Sequence, residues 1–288
     1  MLKKRILCIT VLALFVVTLT PAAFATKVVP LKILLVGYGW YRGIPEGQIN
    51  NAQLVAEALD GETIRVYKGN RVVAEGDVHS IVIPVTWYGA WPPVETEIES
   101  YQPHIVVGLG TSPGSRGIRP EPYASNVMNG CDANPEDPTQ EVCMDKEPVD
   151  PTGPDYREGN LPYTEMVLAM LDAGIPAYRG KKTGYRTIDG VDYPTATPGW
   201  YLCNFLTYKL AKYVEEEIPD LLAGFIHIPT QPEYVAWDRA AALDALPRNS
   251  DEFDELIESS PSASMKLGDM INGIRISLEE CVRAKAGK

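Results

Sequence analysis

Four short stretches of this chain are almost wholly apolar: Leu31–Val36, Ile81–Val85, Ile105–Leu109 and Leu221–Ile228. Each is too short for a self-sufficient helix, and none alternates polar with apolar residues, so each reads as a strand buried on both faces. Between them the period changes. Asn51–Leu59 repeats apolar residues at Leu54, Val55, Ala58 and Leu59, Pro93–Tyr101 reads as a short acidic helix, and Leu161–Ala173 is again helical. Strands alternating with helices specify an α/β domain with a mainly parallel twisted sheet flanked by helices. Gly61–Val73 reads as a further strand with a turn at Lys68-Gly69-Asn70, and Ala177–Ala196 as a hairpin turning at Asp189-Gly190. Residues 129–160, rich in Asp, Pro, Gly and Asn, read as a long surface loop, and Met265–Arg283 as a closing helix. No repeat or linker divides residues 26–288, which form one domain.

The amino terminus stands apart. Met1-Leu2-Lys3-Lys4-Arg5 is basic, Ile6–Leu19 is apolar but short for a membrane span, and small residues precede Ala25. That pattern is a secretory signal peptide over residues 1–25, and it predicts a secreted or periplasmic protein with no stable membrane insertion after cleavage. Three basic residues and no acid leave with it, taking the formal charge from −12 to −15. Such a surface repels polyanions and predicts no nucleic-acid partner; self-association is left open. Cys131 and Cys143 bracket a short loop and make a plausible disulfide outside the cytosol. With three histidines and no ligand spacing, neither a metal nor another cofactor is expected.

Cys203 is the residue of most chemical interest. Pro198-Gly199 closes a turn, and from Leu202 onward Phe205, Leu206, Leu210 and Val214 recur at helical spacing. Cys203 therefore falls in the first turn of a helix reaching about Glu217, where unpaired amides and the helix dipole favour a thiolate. A free cysteine among Leu and Tyr is ordinarily an inert small hydrophobe, so the reading needs partners. His79 and His104 precede apolar runs, whereas His227 ends one, in Gly224-Phe225-Ile226-His227-Ile228-Pro229. Sites in open α/β sheets gather at the carboxyl ends of strands, which selects His227 as the base. Glu121 follows the loop leaving Ile105–Leu109 and reaches the same edge, although spacing cannot separate it from other loop acids.

Leu202-Cys203-Asn204 after Gly199, the Gly224–Pro229 run, and Glu121 with Ala124 and Asn126 resemble the pyroglutamyl peptidase I family of cysteine peptidases. Glu147-Pro148, Gly153-Pro154, Tyr156, Leu161-Pro162, Gly174-Ile175-Pro176-Ala177 and Ser264-Met265 extend the resemblance, in order, over residues 31–283. It implies hydrolysis of peptides that begin with pyroglutamate, with Cys203 as nucleophile, His227 as base and acid, and Glu121 as orienter of the ring. It also implies an acyl pocket of Tyr38, Tyr41, Asn50 and Tyr201, with backbone around Leu109 accepting the lactam N–H.

The chain departs from this family in several places. Its first loop, Gly37-Tyr38-Gly39-Trp40-Tyr41-Arg42-Gly43, puts tyrosines where the family has phenylalanines. Cys131 stands where the family has an arginine near the oxyanion, with Arg116 and Arg119 as candidate replacements. Residues 177–196 contain an insertion, and the export signal contrasts with cytosolic relatives. Two other readings follow: a non-catalytic secreted binding protein on the same fold, and a phosphorylase-like enzyme using Gly108–Gly117 as a phosphate cradle with Arg116. That loop lacks both the P-loop and the dinucleotide patterns.

Overall fold

Strand β4 (Ile105–Thr111) is buried at every position because it runs between two parallel neighbours, β1 (Val29–Tyr38) and β12 (Leu222–Ile228). The computed structural model describes residues 28–41, 44, 47–132, 141–234 and 264–287. Residues 1–25, read above as a signal peptide, and residues 235–263 lie outside these. The six-stranded sheet has the order β2 (Thr63–Lys68), β3 (Arg71–Ile83), β1, β4, β12, β5 (Arg119–Glu121). Its four central strands are parallel, and β2 and β5 run antiparallel at the two edges. The mixed sheet flanked by helices is the α/β domain expected.

Two glycines show how the helices close on the sheet. A Cβ at Gly76 of β3 would lie 2.7 Å from Ile33 and Val282, so α5 (Leu267–Lys285) sits directly on that face. A Cβ at Gly108 would meet Phe225 at 2.6 Å and Leu206 at 3.2 Å, which sets α4 (Leu202–Glu216) on the opposite face. Helices α1 (Asn51–Leu59) and α3 (Tyr163–Asp172) pack beside α5. Helix α2 (Trp91–Tyr101) joins α4 through Trp91 and Tyr213, whose ring centroids are 5.6 Å apart. No helix among the described residues is long and apolar enough to cross a membrane.

The structure corrects two local expectations. Ile81–Val85 is not a strand of its own. Residues 71–83 form one long strand that hairpins with β2, and His79 lies inside it rather than before it. The irregular stretch 129–160 also contains strands: β7 (Met128–Cys131) pairs with β8 (Cys143–Glu147), and β9 (Tyr156–Glu158) pairs with β6 (Tyr123–Ser125). Strands of three to five residues are too short to leave a period in sequence. Cys131 and Cys143 are disulfide-bonded across the β7–β8 hairpin. The inserted segment forms the hairpin of β10 (Lys182–Ile188) and β11 (Val191–Ala196), with Asp189 and Gly190 both at positive φ. That is the geometry a two-residue hairpin turn requires.

Candidate active site

Helix α4 starts abruptly. Gly199 has φ +79°, Tyr201 is the extended N-cap residue, and no side chain caps the first turn. The leading amides of α4 are thus without a side-chain acceptor. Cys203, the second helical residue, is a free, half-buried thiol that lines the same hollow as His227 and acts electrostatically on its ring. It can approach the sheet only because residue 110 is glycine, where a Cβ would lie 2.8 Å from the sulfur.

His227 is the next-to-last residue of β12 and is almost fully buried. Glu121 arrives on β5, paired antiparallel to β12, with Phe225 opposite Glu121 and His227 opposite Arg119. His227 and Glu121 are thus diagonal neighbours, within reach of long side chains. Nδ1 of His227 lies 2.8 Å from Oε1 of Glu121, which leaves Nε2 for the sulfur. Burial works against charging the ring, but the Cys203 sulfur and then Glu121 outweigh it, and the His227 pKa is pushed up to about 9.

Glu121 has no solvent exposure, and three donors meet its carboxylate. His227 and Arg119 Nε face Oε1, while the Thr197 hydroxyl donates to Oε2. Burial pushes the carboxyl pKa up, and the bond and charge of His227, then Arg119 and Thr197, bring it below the ordinary value. Thr197 Oγ1 in turn accepts from Lys181 N at 3.0 Å. Gly180 packs so closely on Oε2 that no side chain fits there. The two feet of the β10–β11 hairpin therefore seal the carboxylate from water. Sequence reasoning missed this. Of the two candidate arginines, Arg116 is exposed in the loop, while Arg119 also reaches Thr197 O at 3.3 Å and Tyr178 OH at 3.4 Å.

A hollow of about 290 Å³ opens over Cys203 and His227. Tyr38, Tyr41, Asn50 and Tyr201 all line it, as do Gly110, Thr111, Arg119 and Thr197. At the lower end of the usual 300–1,000 Å³ range, it suits one small acyl group rather than a length of chain. Two of the three tyrosine hydroxyls are engaged with backbone: Tyr38 OH donates to Leu202 O at 2.7 Å and Tyr201 OH to Cys131 O at 2.9 Å. Asn50 caps α1 by accepting from Ala52 N, donates to Gly39 O and accepts from Thr111 Oγ1. Leu109 does not line the hollow. It is a buried rung between Gly37 and Ile226, and the wall begins one residue later at Gly110, where the strand emerges from the sheet. Among the described residues the one tight cluster of potential metal ligands is Cys131, Glu141 and Cys143, whose sulfurs are already joined to each other.

The model of the pyroglutamyl peptidase family matches residues 31–251. A pyrrolidone-carboxylate peptidase of Mycobacterium marinum is 33% identical over 215 residues, covering 75% of this chain and 84% of that protein. One from Saccharolobus islandicus is 27% identical over 249 residues, covering 86% and 94%. Among solved structures, a mutant pyrrolidone carboxyl peptidase from Pyrococcus furiosus superposes with a TM-score of 0.64 at 22% identity, covering 88% of this chain and 99% of that one. Pyroglutamyl peptidase I of Bacillus amyloliquefaciens gives 0.63 at 21%, covering 88% and 98%. At such identities the structural likeness is one of fold.

Proposed function

This chain belongs to the pyroglutamyl peptidase family, and on that premise we propose that it is a cysteine peptidase releasing amino-terminal pyroglutamate, with Cys203, His227 and Glu121 as its catalytic line. The observation that carries the proposal is a thiol and an imidazole lining one small hollow, with a buried carboxylate 2.8 Å behind the ring. A binding module has no need of a buried, charged histidine against a thiol.

The chemistry follows from the geometry. The Cys203 thiolate attacks the carbonyl carbon that joins pyroglutamate to the next residue, forming a C–S bond and an oxyanion. The uncapped start of α4 offers the Cys203 amide to that oxyanion. His227, already protonated, gives its proton to the leaving nitrogen as the C–N bond breaks. Water then attacks the thioester while His227 takes its proton, and the C–S bond breaks to regenerate the thiolate. Arg119 acts on Glu121 as a positioning residue, so in this reading the arginine lost at Cys131 is not replaced at the oxyanion. Tyr38 and Tyr201 serve as ring surfaces, because their hydroxyls already bind carbonyls. For Tyr38 this accounts for a tyrosine standing where relatives have phenylalanine.

The test is hydrolysis of a pyroglutamyl-coumarin amide beside prolyl and alanyl amides by protein beginning at Thr26. Strong preference for the pyroglutamyl amide, lost in Cys203→Ser and after iodoacetamide, is expected. Undiminished turnover by the serine variant sinks the mechanism, and equal cleavage of the prolyl amide sinks the substrate. We also place the mature protein outside the reducing cytosol. The basic and apolar amino terminus supports this, as does the Cys131–Cys143 bond. Sequencing of natively exported protein should begin at Thr26, and a chain still beginning at Met1 overturns the export reading.

A further inference from the structure

A second hollow, of about 380 Å³, adjoins the acyl pocket and shares Gly199 and Tyr201 with it. Asn129 of β7 lines one part of it, and Arg186 and Thr195 of the inserted hairpin another, with Trp200 between them. The proposed reaction leaves this space unused. A pyroglutamyl residue has no chain on its amino side, so the rest of a bound peptide must leave the acyl pocket by its rim, and Gly199 and Tyr201 are where rim and second hollow meet.

The second hollow is built rather than incidental. Trp200 Nε1 donates to Pro194 O at 2.8 Å, and Asn129 N donates to Trp200 O at 2.8 Å, so the residue is tied to both neighbouring hairpins, by its indole to one and by its backbone to the other. Tyr193 packs edgewise on it at 6.1 Å, and the Arg186 guanidinium lies 5.8 Å from the ring centroid. The hairpin carrying Arg186 is itself fixed, by Tyr185 on Asp155 and by Thr197 on Glu121. Arg186 forms no ion pair among the described residues, in a chain of formal charge −12. A guanidinium stacked on an indole presents its fork to a carboxylate with little ordering left to do.

We propose that this second hollow binds the leaving side of the substrate, with the Trp200 ring as platform and Arg186 as receptor for a carboxylate two or three residues beyond the scissile bond. That carboxylate is either the carboxyl terminus of a short peptide or an acidic side chain of a longer one. This rests on the peptidase reading above and adds to it a preferred class of substrate, acidic pyroglutamyl peptides.

Two matched pairs test it: pyroglutamyl-Ala-Ala as free acid and as amide, and pyroglutamyl-Ala-Glu-Ala-amide beside its Gln counterpart. In the wild type the acid member of at least one pair should have the higher kcat/KM, by about tenfold, as a charge-assisted pair implies; which pair responds identifies the source of the carboxylate. Arg186→Gln should bring that ratio close to one, Arg186→Lys should keep part of it, and Arg186→Glu should favour a Lys peptide instead. Circular dichroism of each variant establishes that the hairpin has folded. A wild type that cleaves the pyroglutamyl-coumarin amide but treats both pairs alike overturns the subsite and leaves the peptidase reading standing, as does a ratio untouched by Arg186→Gln. A wild type inert toward every pyroglutamyl substrate overturns both.

Discussion

His79 and His227 are made from the same ingredients and end in opposite conditions. Both lie on central strands of one sheet, and both face carboxylates: His79 lies 3.2 Å from Glu97 and 3.8 Å from Asp60, and His227 lies 2.8 Å from Glu121. The His79 side chain is 40% exposed and its two acids 27% and 51%, whereas His227 and Glu121 are 5% and 0% exposed. Water around the first group screens its charges and competes for its hydrogen bonds, and such pairs contribute about 0–1 kcal/mol. Around the second, the inserted hairpin excludes water, a thiol stands on the free side of the ring, and Arg119 and Thr197 hold the carboxylate. What separates the buried histidine from the surface one here is enclosure and the third partner, not the presence of an acid.

Removing each ring tests that contrast most severely. His227→Ala should lower kcat/KM on the pyroglutamyl-coumarin amide by about 100- to 10,000-fold, the range of general acid–base catalysis, while His79→Ala should stay within about twofold of wild type. A large loss from His79→Ala erases the distinction drawn above.

The pH dependence sharpens it. The His227 pKa is raised from 6.5 to about 9, so the fold favours the charged ring. That contribution to stability is complete below about pH 6.5 and is lost as the pH rises through about 9. Because the proposed mechanism uses the protonated ring, kcat/KM should hold through neutrality and fall on the alkaline side of about pH 9. His79→Ala should leave this limb where it is. A limb near pH 6.5 in the wild type means that Cys203 and Glu121 do not hold the proton as the geometry implies.

The acids provide the smallest and most graded comparison, read by thermal or denaturant unfolding together with kcat. Glu121→Gln leaves Arg119 half-buried without its carboxylate and should cost on the order of 1–3 kcal/mol, with less loss of activity than His227→Ala because the proton carrier remains. Thr197→Val removes one donor from Oε2 and should cost about 1 kcal/mol, with Thr197→Ser restoring both stability and rate. Glu97→Gln should fall within about 1 kcal/mol of wild type. If Glu97→Gln proves as costly as Glu121→Gln, solvent exclusion is not what separates the two sites.

Local pattern was enough to determine the frame. Leu31–Val36, Ile105–Leu109 and Leu221–Ile228 read as central strands from apolar continuity alone, because a strand buried on both faces admits little else. Helix α1 begins and ends where the period of Leu54, Val55, Ala58 and Leu59 puts it. The same pattern set Cys203 at a helix start and His227 at a strand's carboxyl end, since both positions are properties of their own segments. It failed where pairing partners lie far apart in the chain. Arg119–Glu121 is too short to carry a period, and only its ladder with Phe225–His227 brings the carboxylate to the imidazole. Thr197 reads as a loop threonine until the hairpin folds back and sets it on Glu121, 76 positions away. The turning of Arg119 to Glu121 rather than toward the oxyanion, and of the Tyr38 and Tyr201 hydroxyls away to carbonyls 164 and 70 residues distant, was likewise settled by packing. Periodicity reports which face of a segment is buried, but what that face touches depends on the closure of long loops, and no local window contains it.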